Sequence, residues 1–343
     1  MQQHSPQVYA WQHDVWQHLQ QRYPKLGHAL LFYGKHGCGK HAFVQHFIAW
    51  LLCLNRQHDT ACGECQSCIW LQSDIHPHLM YIQPDEEQSK ETSKEKGKKA
   101  KATPRIKIEK VREILPFVQQ TLEGWRVIVI DPAEALNIAA SNALLKTLEE
   151  PSERVIIILL AEHYLKLPAT IRSRTQHFAL DRISSEQAQQ YLHQLLQQQN
   201  LHISDEQQHI LLNLAENMPH YAAELAQSEW VNFRAEWLND WLHLYQSKSM
   251  PLDYANKWQK LLNFQEFNTL FESVLSDVIR IKLQQPYIHQ DLAQLPRLAE
   301  QVNLSYLFAL YEKIQQSKLL LQQNVQSNLI LDQYFIELMN VQG

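Results

Sequence analysis

Two hydrophobic rhythms divide this chain. In the first half, short unbroken apolar runs alternate with stretches of helical period. His28-Ala-Leu-Leu-Phe-Tyr33, Arg126-Val-Ile-Val-Ile-Asp131 and Val155-Ile-Ile-Ile-Leu-Leu160 predict strands, and the β-branched content of the second is that of a strand covered on both faces in a parallel sheet. Residues 40–53 put Phe43, Phe47, Trp50 and Leu51 on one face of a helix. A further helix reads through Val111, Ile114, Leu115 and Val118. Asn137 caps another, which crosses Ser141-Asn-Ala-Leu-Leu-Lys-Thr-Leu-Glu-Glu150 and stops before Pro151. From about Leu180 onward the period is helical throughout. Residues 184–199 and 206–227 make a small helical unit, and the chain from Trp230 supplies longer amphipathic helices, 304–321 and 328–339 among them. No catalytic constellation appears there, and Trp230, Trp237, Trp241 and Trp258 read as packing anchors rather than as a platform for stacked bases.

The text between 85 and 103 breaks both rhythms. It holds no apolar residue larger than alanine and many lysines, which predicts a disordered loop whose charges are solvated rather than bound to DNA.

The first predicted strand runs directly into Gly34-Lys-His-Gly-Cys-Gly-Lys-His41. This fits the phosphate-binding pattern GxxxxGK[ST] at every position but the last. Glycine is otherwise rare, with 8 in 343 residues, yet Gly34, Gly37 and Gly39 fall within six positions, as expected where backbone must close around an anion. In a working loop the backbone amides and Lys40 take the phosphates, and a Ser or Thr hydroxyl holds magnesium. His41 offers nitrogen to a cation that prefers oxygen, so metal positioning and phosphoryl transfer should both suffer. Asp131 ends the second strand at the position where a carboxylate would face magnesium, but Pro132 follows where a hydrolytic site would place a water-polarising glutamate. The expectation is a phosphate loop without hydrolysis, with little support for bound ATP.

Four of the five cysteines stand together: Cys53, Cys62, Cys65 and Cys68 form C-x8-C-x2-C-x2-C. Four thiolates at this spacing suit a closed tetrahedral structural zinc site, Zn(2+), inserted after the loop helix. A redox dithiol is disfavoured because the two CxxC halves overlap at Cys65, and a disulfide because the setting reads as a reducing cytosol. Net charge of −5 argues against strong autonomous binding to nucleic acid. The 18 histidines are too scattered for a metal array. No apolar stretch is long enough to span a bilayer, and the N-terminus lacks a basic region followed by a hydrophobic one. A cytoplasmic protein with no membrane partner is expected.

A final cluster, Leu167-Pro-Ala-Thr-Ile-Arg-Ser-Arg-Thr-Gln-His-Phe178, sets two arginines around a serine just past the third strand. With the segment from Val127 to Phe178, the loop and the cysteine module on the page, the sequence resembles the delta-prime family of bacterial DNA polymerase III clamp-loader subunits, within the AAA+ clamp-loader group. The likeness covers most of the chain, thinly in the helical half. It implies an α/β P-loop AAA+ domain with a RecA-like parallel sheet and zinc insertion (1–180), an all-α lid (181–228) and an all-α collar for oligomerisation (229–343). It further implies that the four cysteines are the zinc ligands. Ser173 and Arg174 match the start of the family's Ser-Arg-Cys motif, whose arginine reaches a neighbouring subunit's ATP; Thr175 replaces the cysteine. Around Asn217-Met-Pro-His-Tyr221 the lid lacks the arginine with which active relatives sense the γ-phosphate.

The resemblance therefore implies a non-hydrolysing stator that helps load the sliding clamp onto primer-template DNA, with gamma/tau and delta subunits as partners; polymerase chemistry would belong to other subunits of the holoenzyme. An active gamma/tau-type ATPase is the nearest alternative, opposed by His41 and Pro132. A small-molecule kinase would need substrate and lid arginines, and a stand-alone DNA-binding module would need basic charge.

Overall fold

The computed structural model describes residues 7–84, 105–119, 124–150, 152–247, 250–322 and 325–339. The lysine-rich stretch at 85–103 lies outside the described residues. The described residues divide into two compact units, the first comprising 7–84, those from 105 to 195 and 217–221, the second 196–216 and those from 222 onward.

In the first unit, α1 (His13–Arg22), β1 (Ala29–Tyr33), α2 (Lys40–Leu52), α3 (Gln66–Gln72), β2 (Leu79–Ile82), α4 (Ile108–Arg112), α5 (Ile114–Gln119), β3 (Arg126–Ile130), α6 (Ile138–Glu149), β4 (Val155–Ala161), α7 (Ala169–Arg172) and β5 (Gln176–Ala179) follow in order. The strands form one sheet in the order β2-β3-β4-β1-β5. Every pairing is parallel, with Leu31 beside Leu159 and Val129 beside Ile158 at the centre. The three strands read from the sequence are the three inner ones, and every residue of β3 and β4 is buried.

Strand side chains alternate between two faces, and each face has its own core. Leu30, Phe32, Val127, Val129, Ile156 and Ile158 pack with Phe43, Phe47 and Trp50 of α2. Leu31, Ile128, Ile130, Ile157 and Leu159 pack with Ile114, Leu144 and Leu148. Each such side chain contributes roughly 1.5–3 kcal/mol when fully buried, so the sheet is a rigid frame for the loops at its carboxyl ends. Asn137 Oδ1 accepts from the amide of Ala140 at 2.7 Å, the cap expected for α6.

One sequence expectation is corrected. The helix drawn through Val111, Ile114, Leu115 and Val118 is two helices, α4 and α5, broken at Glu113, and Leu115 is exposed. Pro116 explains the break, because its ring clashes with the carbonyl four residues back, at Arg112. The segment 206–227, read as helical, holds α9 (Asp205–Leu214) and α10 (Pro219–Leu225), separated where Glu216 and Asn217 take left-handed backbone angles and Pro219 opens the next helix.

Helix α8 (Ser185–Gln198) precedes them, and α11 (Glu229–Asn232), α12 (Arg234–Ser247), α13 (Pro251–Leu261), α14 (Phe264–Lys282), α15 (Leu295–Gln301), α16 (Leu304–Gln322) and α17 (Ser327–Met339) complete the chain. In the second unit Trp237 is fully buried, with its ring 5.5 Å from Trp258, 4.9 Å from Phe267 and 5.6 Å from Phe335. Trp230, Trp241 and Trp258 are buried too, so the tryptophans are packing anchors, as expected. No helix among the described residues is long and apolar enough to cross a membrane.

Candidate nucleotide loop, metal centre and interfacial arginine

The glycine-rich loop joins β1 to α2. Gly37 and Gly39 have φ of +78° and +85°, a region that L side chains avoid. Neither position has room for a side chain. A Cβ on Gly37 would come within 2.4 Å of the Tyr221 backbone nitrogen, and one on Gly39 within 2.3 Å of the Tyr9 ring. The Cys38 carbonyl accepts from Trp11 Nε1 at 3.1 Å and Gln12 Nε2 at 3.0 Å, while Asp181 Oδ2 accepts from the Lys35 amide at 3.2 Å. The loop is thus pinned by the N-terminal segment on one side and by α10 and Asp181 on others. Burial pushes the Cys38 thiol up to about 11, which keeps it protonated and unreactive.

Lys40 is 5% exposed, and its Nζ lies 3.3 Å from Glu162 Oε1 just beyond β4. His36 Nδ1 approaches the same oxygen at 3.5 Å. The His36 hydrogen bond and the Lys40 charge outweigh burial and hold the Glu162 carboxyl down at about 2. His41 Nε2 donates to Asp131 Oδ2 at 3.1 Å. The loop residues Gly34, Gly37, Gly39 and Lys40 and Asp131, just past the end of β3, therefore lie together. Their two functional groups are already engaged: the lysine by Glu162, the aspartate by the histidine that replaces the hydroxyl.

The cysteines converge as well. Cys53 caps α2, Cys65 caps α3, and Cys68 lies within α3. The Sγ atoms stand 3.5 Å apart for Cys53–Cys62 and Cys65–Cys68, and 3.9 Å for Cys53–Cys65 and Cys62–Cys68. All four lie within 4.8 Å of one another and could hold a metal ion. Backbone amides of Glu64 and Cys65 pull the Cys62 thiol down. Burial opposes ionisation at Cys65, but the amides of Cys68 and Leu54 prevail and bring it to about 6. Burial raises Cys53, and raises Cys68 to about 12. Two easily ionised thiols facing two reluctant ones is the arrangement a cation resolves, since its charge favours all four thiolates.

The module is fixed to the sheet by a polar chain the sequence did not reveal. Ser67 Oγ donates to the Leu52 carbonyl at 2.8 Å, and His76 Nδ1 accepts from the His78 amide at 3.1 Å. His76 Nε2, 2.8 Å from Ser67 Oγ, must then carry the ring proton and donate.

Arg174 follows α7 and is partly exposed. Its Nε and Nη2 lie 2.8 and 2.6 Å from Glu149 Oε1, and Nη1 donates to the Thr170 carbonyl at 3.1 Å and to Ser173 Oγ at 3.4 Å. Ser173 thus supports the arginine directly. Arg172 folds elsewhere, with its guanidinium 5.7 Å from the Tyr164 ring centre. Thr175 satisfies its hydroxyl on the Ile171 and Arg172 carbonyls. Sequence reasoning assigned no role to Glu162, Glu149 or Tyr9, which sit 122, 25 and 30 positions from the residues they engage.

A family model described as "DNA polymerase III, delta subunit" matches residues 11–184. The chain is 38% identical to DNA polymerase III subunit delta-prime of Pseudomonas aeruginosa over 169 residues, 49% of this chain and 47% of that one. It is 30% identical to the subunit of the same name from Haemophilus influenzae over 300 residues, 86% of this chain and 84% of that one. The chain belongs to the DNA polymerase III delta-prime family. It spans about half of the Pseudomonas relative's length. Among solved structures, a DNA polymerase III gamma subunit-related protein from Thermotoga maritima aligns over 95% of this chain and 98% of its own, at 14% identity and a TM-score of 0.43.

Proposed function

We propose that this chain is a non-hydrolysing stator subunit of a DNA polymerase III clamp loader. It helps load the sliding clamp onto primed DNA during replication and supplies Arg174 to the ATP site of an adjacent ATPase subunit. The observation that carries this reading is the hydrogen bond from His41 to Asp131. It joins the two positions that would share magnesium, and Pro132 leaves no carboxylate to orient an attacking water. An active gamma/tau-type ATPase would need both.

Arg174 supports the second half of the proposal. Its guanidinium is held at the surface by Glu149 in a weak, solvent-screened pair, so exchanging that partner for a neighbour's phosphate costs little. The gamma/tau and delta subunits are the partners proposed, with the residues after 228 serving as the oligomerising collar and 181–228 as the lid. The ion at the four cysteines is proposed to be zinc. A tetrahedron with Zn–S of about 2.3 Å has sulfur–sulfur edges of about 3.8 Å; four of the six sulfur–sulfur distances, 3.5–3.9 Å, bracket that value and the other two are at most 4.8 Å. Zinc would tie α2 to α3 and, with four sulfur ligands, supply no open position for catalysis.

The test is co-purification of the chain with gamma/tau and delta. A single stoichiometric complex, containing this chain and loading clamps on primed DNA, is the expected result. A chain that elutes alone under conditions where the others assemble overturns the proposal.

A further inference from the structure

The Lys40–Glu162 contact has no place in the stator reading, which needs only that hydrolysis fail. Lys40 is the loop's phosphate-binding side chain by position, yet it is buried and its ammonium rests on a carboxylate at 3.3 Å. A second basic group, His36, approaches the same oxygen from the loop itself. The turn that carries Glu162 is also held from behind. The backbone amides of Glu162 and His163 both donate to Glu134 Oε1, at 2.7 and 2.8 Å, and Glu134 follows Asp131 and Pro132 on the short turn after β3. The carboxylate is therefore presented to the loop by two strand ends and does not merely drift against it. The underlying loop keeps the backbone of a phosphate cradle, with its positive-φ glycines and the amino end of a thirteen-residue helix immediately after them.

We infer that Glu162 is an internal counter-anion, an autoinhibitory contact that takes the place of a polyphosphate on Lys40 and excludes one from an otherwise competent cradle. An incoming phosphate chain would meet both the loss of the Lys40 partner and repulsion from a carboxylate a few ångströms away, a like-charge contact that is unfavourable even in partly solvated surroundings. Removing the charge while keeping the shape should open the site to anions. Hydrolysis would not follow, because His41 and Pro132 are untouched. This inference goes beyond the stator reading and stands or falls separately from it.

The test is calorimetric titration of the full chain with inorganic tripolyphosphate. Glu162→Gln is the isosteric neutral variant, with Glu162→Thr beside it so that the result does not hang on the folding of one protein. Near-UV circular dichroism and the thermal midpoint establish which variants are folded. The folded neutral variants should bind tripolyphosphate at least about tenfold more tightly than the parent, and adding Lys40→Ala should erase the gain. A parent that binds as tightly as the variants overturns the inference, as does a folded neutral variant with no gain. Phosphate release from ATP is followed on the same samples. Turnover that appears only in the folded neutral variants would defeat the stator reading and leave this inference intact, whereas absence of both turnover and a binding gain does the reverse.

Discussion

His41 Nε2 and Asp131 Oδ2 lie 3.1 Å apart, and the bond between them closes the position where a magnesium ion would sit between a loop hydroxyl and a strand carboxylate. The isolated chain should therefore release phosphate from ATP no faster than the ~10⁻³ s⁻¹ of an unassisted loop. His41→Thr restores the hydroxyl and frees Asp131, but Pro132 still offers no group to orient water, so turnover should stay within a few-fold of the parent. Steady-state phosphate release measures both. Turnover near 1 s⁻¹ that disappears with Lys40→Ala would assign the chain to the gamma/tau kind.

The cysteine cluster predicts one tightly held metal ion per chain, identified as zinc by elemental analysis of protein purified without added metal. Cys62 and Cys65 should resist alkylation until a chelator is added. Cys65→Ser should release the ion and loosen 53–68 while the parallel sheet persists in far-UV circular dichroism, because neither of the sheet's two cores includes a cysteine ligand. Metal-free protein whose four thiols react at once would contradict this.

His76 supplies a pH dependence with a definite sign. Burial pushes its ring down to about 4 from an ordinary 6.5, so the unfolded chain takes up the proton first as pH falls. The stability due to the neutral ring is complete above about pH 6.5 and is lost progressively as pH drops toward 4. A ring NMR titration should show His76 neutral at pH 5.5. A midpoint near 6.5 in the parent would show that the Leu52–Ser67–His76 chain is not the anchor described.

In the second unit, Trp237 contacts Trp258, Phe267, Phe271 and Phe335 edge-on. Trp237→Ala should lower unfolding free energy by about 3–5 kcal/mol, read from urea titration. A cost under about 1 kcal/mol would mean that these rings do not form a single packed core.

What the sequence reveals here follows from where each signal is stored. The inner strands β1, β3 and β4 are legible because burial on both faces demands unbroken apolar runs. The edge strands β2 and β5 are not, since Tyr81, Gln176 and His177 are partly or fully exposed and dilute the pattern. The break at Glu113 was legible in principle, because Pro116 carries it, but hydrophobic spacing across the gap imitates one helix. The loop, Asp131, the four cysteines and Ser173-Arg174 are local motifs and read directly. Glu162 and Glu149 are contacts created by the fold, and nothing near them in the chain marks a carboxylate as the partner of a distant cation.

The account's central claim is tested most directly at Arg174, in the reconstituted loader. An arginine supplied in trans is worth about 10³–10⁵ in rate at the site it completes. Arg174→Ala should leave the chain folded and the complex assembled, yet reduce DNA- and clamp-stimulated ATP hydrolysis by the share of that one site and impair clamp loading. Arg172→Ala, whose guanidinium packs over Tyr164, should behave as the parent. Parent-level hydrolysis and loading in the Arg174→Ala complex would contradict the claim that this chain completes its neighbour's active site.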